Sequence, residues 1–239
     1  LPAGATKKIE VWCGSTAPPE SRFKSNLEVK YKTSNRELGL DEHVDHAVEG
    51  LLVADVIEGI TIDFSGCDEL IDACKTFGWE AGKTYCLTTN IEDTVGTCMA
   101  IYANDVTLDG KGHKIFSSNK RVSSNNGVLV SGMRVTVANL NLSDYYYGII
   151  VYGFGVNLSN ISAKSNYLYA VKLNGASNVL LENIDIEDSG TGLNLDDSDQ
   201  VVMDDVAMKD NVINFDITGM NDNDFMHDID TSNTVDNKI

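Results

Sequence analysis

The sequence predicts an all-β protein: a solenoid of short parallel strands, about 22 residues per coil, over residues 67–239, preceded by a β-rich N-terminal segment or cap over residues 1–66. Three observations carry that reading. The stretch GIIVYGFGVNLSNISAKSNYLY, residues 148–169, places apolar residues on alternate positions, turns, and alternates again, which is the period of strands with one buried face. The pattern recurs: Gly127-Val-Leu-Val130, Gly148-Ile-Ile-Val151, Ala170-Val-Lys-Leu173, Gly192-Leu-Asn-Leu195 and Asn214-Phe-Asp-Ile217 begin 21, 22, 22 and 22 residues apart. Each of the first four units also carries a second alternating run, Val135–Leu142, Val156–Ala163, Val179–Ile186 and Val201–Met208, with apolar residues in matching places.

A unit of this length holds two or three short strands, too few for a propeller blade of about 40 residues. Leucine-rich repeats have a similar length, but helical spacing is missing here and β-branched alternation occurs twice per unit. Each unit is therefore expected to be one coil, stacked about 4.8 Å above the last. A lone coil buries too few aliphatics to offset the entropy of ordering its residues, so folding should be cooperative across the stack.

Taken in order, KIEVWC (8–13), LEVKYK (27–32) and ITIDF (60–64) alternate as strands, while DEHVDHAVEGLLVADVI (41–57) suits helix or strand. CMAIYANDVTLDGKGHKI (98–115) reads as a coil, with Ile101, Val106, Leu108 and Ile115 inward and Asp109-Gly110-Lys111-Gly112 as a tight turn. In the repeats, Asn139, Asn160, Asn183 and Asp205 hold one place, just before an inward Leu, Ile or Val. They predict a polar ladder at a bend, each side chain hydrogen-bonding its own or a neighbouring coil. Met203 and Met208 stand where Leu181 and Ile186 stand one unit earlier, which predicts core. NFDITGMNDNDFMHDIDTSNTVDNKI (214–239) is a degenerate last coil without an amphipathic helix or a proline to close it, leaving its aspartates as the guard on a strand edge.

With 42% apolar residues among 239, the chain has enough material for a core. The formal net charge of −18 excludes nucleic acid as a partner and suits cation binding or solubility. All five cysteines, Cys13, Cys67, Cys74, Cys86 and Cys98, lie in the first hundred residues without CxxC spacing. Disulfides are expected, with the pairing open and one cysteine left over. The chain begins at Leu1 rather than Met and has no run of about 18 apolar residues, so a secreted protein with its leader removed and no membrane span is expected.

The order of the cysteines, GKTYCLTTNIED (82–93), IYANDVTLDGKGHKI (101–115) and the units of 22 that follow resembles the right-handed parallel β-helix proteins of the pectate-lyase-like superfamily, over residues 74–215. Within it the chain is most similar to archaeal cell-surface members such as surface-layer, sheath and NosD-like proteins. The resemblance implies a right-handed coil. The fold carries lyases, hydrolases, adhesins and envelope components alike, so function must be read from sites.

A polygalacturonase-like hydrolase would need an Asn-Thr-Asp element, an Asp-Asp pair, a Gly-His-Gly and an Arg-x-Lys. Asp196-Asp197 supplies the pair; the other elements are absent, and no arginine follows Arg134. A pectate-lyase-like reaction would need calcium and an arginine base on a face that attracts a polyanion. From residue 135 onward, 17 acidic residues stand against four lysines, which would repel such a substrate. No catalytic residue is assigned, and no cofactor is expected beyond calcium, for which Asp196, Asp197 and Asp199 supply oxygen ligands of the right kind. Asp204 and Asp205 join that set, Asp222, Asp224, Asp228 and Asp230 form an alternative one, and His43 and His46 at i, i+3 beside Asp41, Glu42 and Asp45 form a separate candidate metal site. Asn141 and Asn157 head N-glycosylation patterns and should point outward; Asn160 heads a third but belongs to the ladder.

The function expected from these features is a non-enzymatic structural protein of the cell envelope, a sheath or surface-layer subunit that forms a homopolymer through β-helix ends and N-terminal strands. The alternatives are a secreted polysaccharide lyase or hydrolase, and a monomeric adhesin binding envelope glycans through Tyr145–Tyr147 and Tyr152.

Overall fold

The computed structural model describes residues 64–93, 96–119, 121–123 and 125–238. The chain divides into two units, Leu1–Ser65 and Gly66–Ile239, and the described strands all belong to the second. The strands expected at 8–13 and 27–32, most of that at 60–64, the segment 41–57 with His43 and His46, and Cys13 lie outside the described residues.

The first coils contain β1 (Glu69–Ile71), β2 (Thr84–Leu87), β3 (Ile91–Asp93), β4 (Thr97–Ile101), β5 (Thr107–Asp109), β6 (Lys114–Ser117) and β7 (Asn126–Val130). The regular repeat then alternates long and short strands: β8 (Thr136–Ser143), β9 (Tyr147–Val151), β10 (Asn157–Lys164), β11 (Tyr169–Asn174), β12 (Leu180–Glu187), β13 (Thr191–Asp196), β14 (Val202–Lys209) and β15 (Ile213–Thr218). The last coil adds a 3-10 turn at Asp222–Phe225 and two short strands, β16 (Asp228–Ile229) and β17 (Thr234–Val235).

These strands build two parallel sheets. One has the order β4, β7, β9, β11, β13, β15; the other runs β1, β2, β5, β8, β10, β12, β14, β16, with β3, β6 and β17 alongside. The register keeps the period seen in the sequence, since Tyr147 pairs with Tyr169, Tyr169 with Thr191 and Thr191 with Ile213. A parallel strand cannot return through a tight hairpin, so each coil crosses from one sheet to the other before the next begins. The interior is one aliphatic core. Ile101, Val106, Leu108 and Ile115 are fully buried, and Met203 and Met208 are core residues, as their ladder positions predict.

The long strands are eight residues each but bend in the middle, at Asn139, Asn160, Asn183 and Asp205, all with φ between 52° and 54°. Asn and Asp are the non-glycine residues that accept this left-handed conformation most readily. The side chains form the expected ladder: the amide of Asn183 donates to Asn160 at 2.7 Å, that of Asn160 to Asn139 at 3.1 Å, and that of Asn139 to Asp109 at 3.0 Å. The ladder has a direction. Each coil donates backwards, Asp109 ends it as a pure acceptor, and Asp205 at the other end has no amide with which to continue it. A second corner follows each long strand at Asp144, Ser165, Asp188 and Asp210, again with positive φ.

Where corners stack tightly, only glycine fits. A Cβ on Gly153 would lie 2.2 Å from the Gly132 carbonyl oxygen, and one on Gly132 would lie 2.0 Å from that of Ala103.

The four described cysteines form Cys67–Cys86 and Cys74–Cys98, closing loops of 19 and 24 residues. Because Glu69 pairs with Tyr85 and Lys75 bridges to Met99, both disulfides clip the first turn of the stack to the second.

Two outcomes follow for stability. Asn160→Ala should cost about 2 kcal/mol in denaturant melts, from two lost hydrogen bonds and an alanine in a left-handed corner, with a smaller loss for Asn160→Gly, whereas Asp205→Asn should add about 1 kcal/mol by donating to Asn183. Opening either disulfide as a Cys→Ser pair should cost about 3 kcal/mol on the loop-entropy account, with hydrogen exchange rising first in residues 66–79.

Candidate functional site

The C-terminal end of the solenoid departs from the repeat. β15 is the terminal strand of its sheet, paired with β13 on one side and with no described strand on the other. Its inward Phe215 and Ile217 are only partly buried against the core. The opposite sheet is covered better at its rim than in its middle, because β16 pairs with Val202 and Met203, β17 pairs with Ala207 and Met208, and each is two residues long. A cavity of about 520 Å³ is left between them, lined by Met203, Met208, Phe215, Ile229, Asn233 and Val235 among others. Around it Val212 and Met220 are each 87% exposed, and Ile213, Phe225 and Met226 also stand in solvent. Apolar surface of this kind at the end of a stack marks an interaction site.

Residues just beyond β15 hold this end in shape. The carboxylate of the buried Asp224 accepts the backbone N–H groups of Met220 and Asn221, both at 2.8 Å, which fixes the turn that follows β15.

The outer face of the six-stranded sheet carries a second cluster. Tyr147 and Tyr169 stack at 5.7 Å and 10°, Tyr146 and Tyr167 lie 5.3 Å apart, and Lys172 Nζ sits 5.0 Å from the Tyr169 ring centre. Stacking along the coil axis turns the Tyr147 and Tyr169 rings toward each other. Tyr145 is a correction to the surface group Tyr145–Tyr147: it is fully buried. Asp144 takes the corner at φ 65°, the alternation restarts there, and Tyr145 enters the column held in other coils by Asn125, Asn166, Ser189 and Asn211. Burial, with the nearby Asp93 charge adding to it, pushes its phenol well above the usual range. Tyr152 is half-exposed, as expected of a surface residue.

Asp196, Asp197 and Asp199 have separate settings. Asp196 ends β13 and binds the Lys172 ammonium at 2.8 Å and the Thr218 hydroxyl at 2.8 Å. The Lys172 hydrogen bond, then that from Thr218, hold its carboxyl below the usual range despite partial burial. Asp197 occupies an exposed corner at φ 47°, and Asp199 follows the buried Ser198, whose hydroxyl accepts the Ala176 N–H. Among the described residues no group of three or more His, Cys, Asp or Glu side chains gathers closely enough to hold a metal ion. The structure therefore does not bring the three calcium candidates together, nor Asp222, Asp224, Asp228 and Asp230. Asn141 is half-buried with its amide donating to the Gly112 carbonyl at 2.8 Å, and Asn157 is half-buried with its Oδ1 unpaired.

The sequence points to the end as weakly guarded but not to the residues that make it apolar. Val212, Ile213 and Met220 were the available signal: 22 residues earlier, at the matching turn and strand-start positions, stand Gly190, Thr191 and Ser198.

An all-parallel coil with an aliphatic interior defines the class, a β-solenoid. A family profile described as right handed beta helix region matches residues 100–237, more than half of the chain, and the protein belongs to this right-handed β-helix family. No curated protein and no solved structure matches the chain. No helix among the described residues is long and apolar enough to cross a membrane.

Lys172→Met should raise the Asp196 pKa toward the ordinary carboxylate value, followed by NMR titration of its carboxyl carbon. The folded-state value lies below that of the unfolded chain, so the stabilisation is present above about pH 4 and is lost as pH falls through the folded value. The variant should lose less stability over that acid range.

Proposed function

We propose that the protein is a non-enzymatic structural subunit of the cell surface, which assembles with its own copies through the C-terminal end of the solenoid as a sheath or surface-layer component. The observation that carries this reading is β15: the last strand of its sheet among the described residues, with half-buried Phe215 and Ile217 beside an apolar cavity. Such an edge presents unpaired backbone groups and apolar area together, which is the arrangement that captures another strand. The two ends of a solenoid are different surfaces, so a contact made by one end is heterologous and repeats into a filament or a ring. The two disulfides fit an oxidising compartment, and the acidic surface keeps free subunits apart until ends meet.

Light scattering and negative-stain microscopy of the purified full chain test the reading. Filaments, hoops or sheets are expected, and Val212→Glu with Met220→Glu should weaken assembly by about tenfold or more while leaving the melting temperature within a few degrees, because both side chains are already in solvent. A monodisperse monomer across salt, pH and redox conditions overturns it.

A further inference from the structure

Resting on that assembly reading, we infer that β15 receives the first described coil of a second copy, head to tail: Lys75, Thr76 and Phe77 of that copy lie over Phe215, Asp216 and Ile217, and Phe77 fills the apolar cavity.

The register within one chain supplies the rule for the next. Along the six-stranded sheet, one column of paired residues starts at Lys75, passes through Met99 and ends at Phe215. A second column, two residues further along each strand, runs from Ile101 to Ile217. Phe77 stands two residues after Lys75, at the place in the first coil that Ile101 holds in the second. Ile101 is fully buried, whereas Phe77 is 83% exposed, the most exposed aromatic side chain among the described residues. At the far end of the same column, Ile217 is only partly buried, beside the cavity of about 520 Å³ lined by Met203, Met208 and Phe215 among others. One column thus begins with an apolar ring in solvent and ends at an apolar gap. Setting the beginning of one copy on the end of another removes both from water.

The neighbours of Phe77 fit the same register. Thr76 comes over Asp216, which repeats a pair already present between β13 and β15, where the Thr218 hydroxyl donates to Asp196 at 2.8 Å. Lys75 comes over Phe215. Its ammonium already lies 5.6 Å from the Trp79 ring centre and 5.2 Å from that of Tyr85, so a further aromatic ring suits it. Asp230 and Asp236, which also line the cavity, supply the opposite charge. Main-chain pairing along β15 gives affinity and the triplet gives register. Within one solenoid the two surfaces are six coil steps of about 4.8 Å apart, so the contact is made with a neighbour and is heterologous.

Two variants that each block one surface test the assignment. Phe77→Asp removes the ring, and Val212→Glu with Met220→Glu blocks the β15 end. Alone, each should assemble about tenfold or more weakly with little change in melting temperature, because the replaced side chains are already in solvent. Mixed in equal amounts, they should form a dimer and nothing larger, since the first still offers its β15 end and the second its Phe77; misfolding of either would not produce this. An isotopically light chain with Phe77 replaced by p-benzoylphenylalanine, irradiated with unmodified heavy chains, should label heavy peptides containing Met203, Met208 or Phe215. Assembly of Phe77→Asp equal to that of the unmodified chain, or labelling of other peptides only, would overturn this contact and leave the assembly reading intact. Failure of the two variants to dimerise when the unmodified chain assembles would do the same. Absence of assembly in the unmodified chain would overturn both.

Discussion

A strand can hydrogen-bond in parallel to the coil beneath it only if both coils bend at the same place. The bend needs a residue with positive φ, which costs most L-residues about 1–2 kcal/mol and costs Asn, Asp and Gly less. Asn139, Asn160, Asn183 and Asp205 meet that condition at one corner, and Asp144, Ser165, Asp188 and Asp210 at another. Once corners coincide, everything else coincides with them: aliphatics fall in columns, the corner amides fall within hydrogen-bonding reach of one another, and Gly132 and Gly153 must stay bare because a neighbouring carbonyl occupies the space. The ladders are thus a consequence of the shared bend as well as a contribution to it.

The same periodicity makes the ends of the stack unlike its middle. An interior coil is paired on both sides; a terminal one is paired on one. At the start of the described solenoid, two disulfides hold the first turn against the second. At the other end, a 3-10 turn and two strands of two residues each cover only part of the core. Phe215 and Ile217 are therefore left where an interior coil would have sealed them, and the proposed function follows from that asymmetry. Outward features are better satisfied: Lys172 holds Asp196, Lys164 lies 2.8 Å from both Asp185 and Glu187, and the tyrosines face one another. Exposed ion pairs of this kind add little stability individually, but they leave the faces of the rod with fewer unmet demands than its end.

The sequence by itself determined the coil. A period of 22, twice-repeated alternation and an Asn or Asp before each inward aliphatic are local facts, and they specify strand, bend and inward face without knowledge of the rest of the chain. Ile101, Val106, Leu108, Ile115, Met203 and Met208 could be assigned to the core on those grounds. What only the tertiary structure decided lies across corners and between coils. Alternation restarts at each left-handed residue, so Tyr145 goes inside although its neighbours go out, and Asp196 and Asp197 part company at the end of β13. Cysteine pairing depends on which coil sits on which, and Cys67 meets Cys86 because Glu69 pairs with Tyr85. The open cavity depends on how short β16 and β17 become. Spacing along the chain encodes the repeat; the geometry of a bend and the length of the last strands decide which side chains a repeat leaves uncovered.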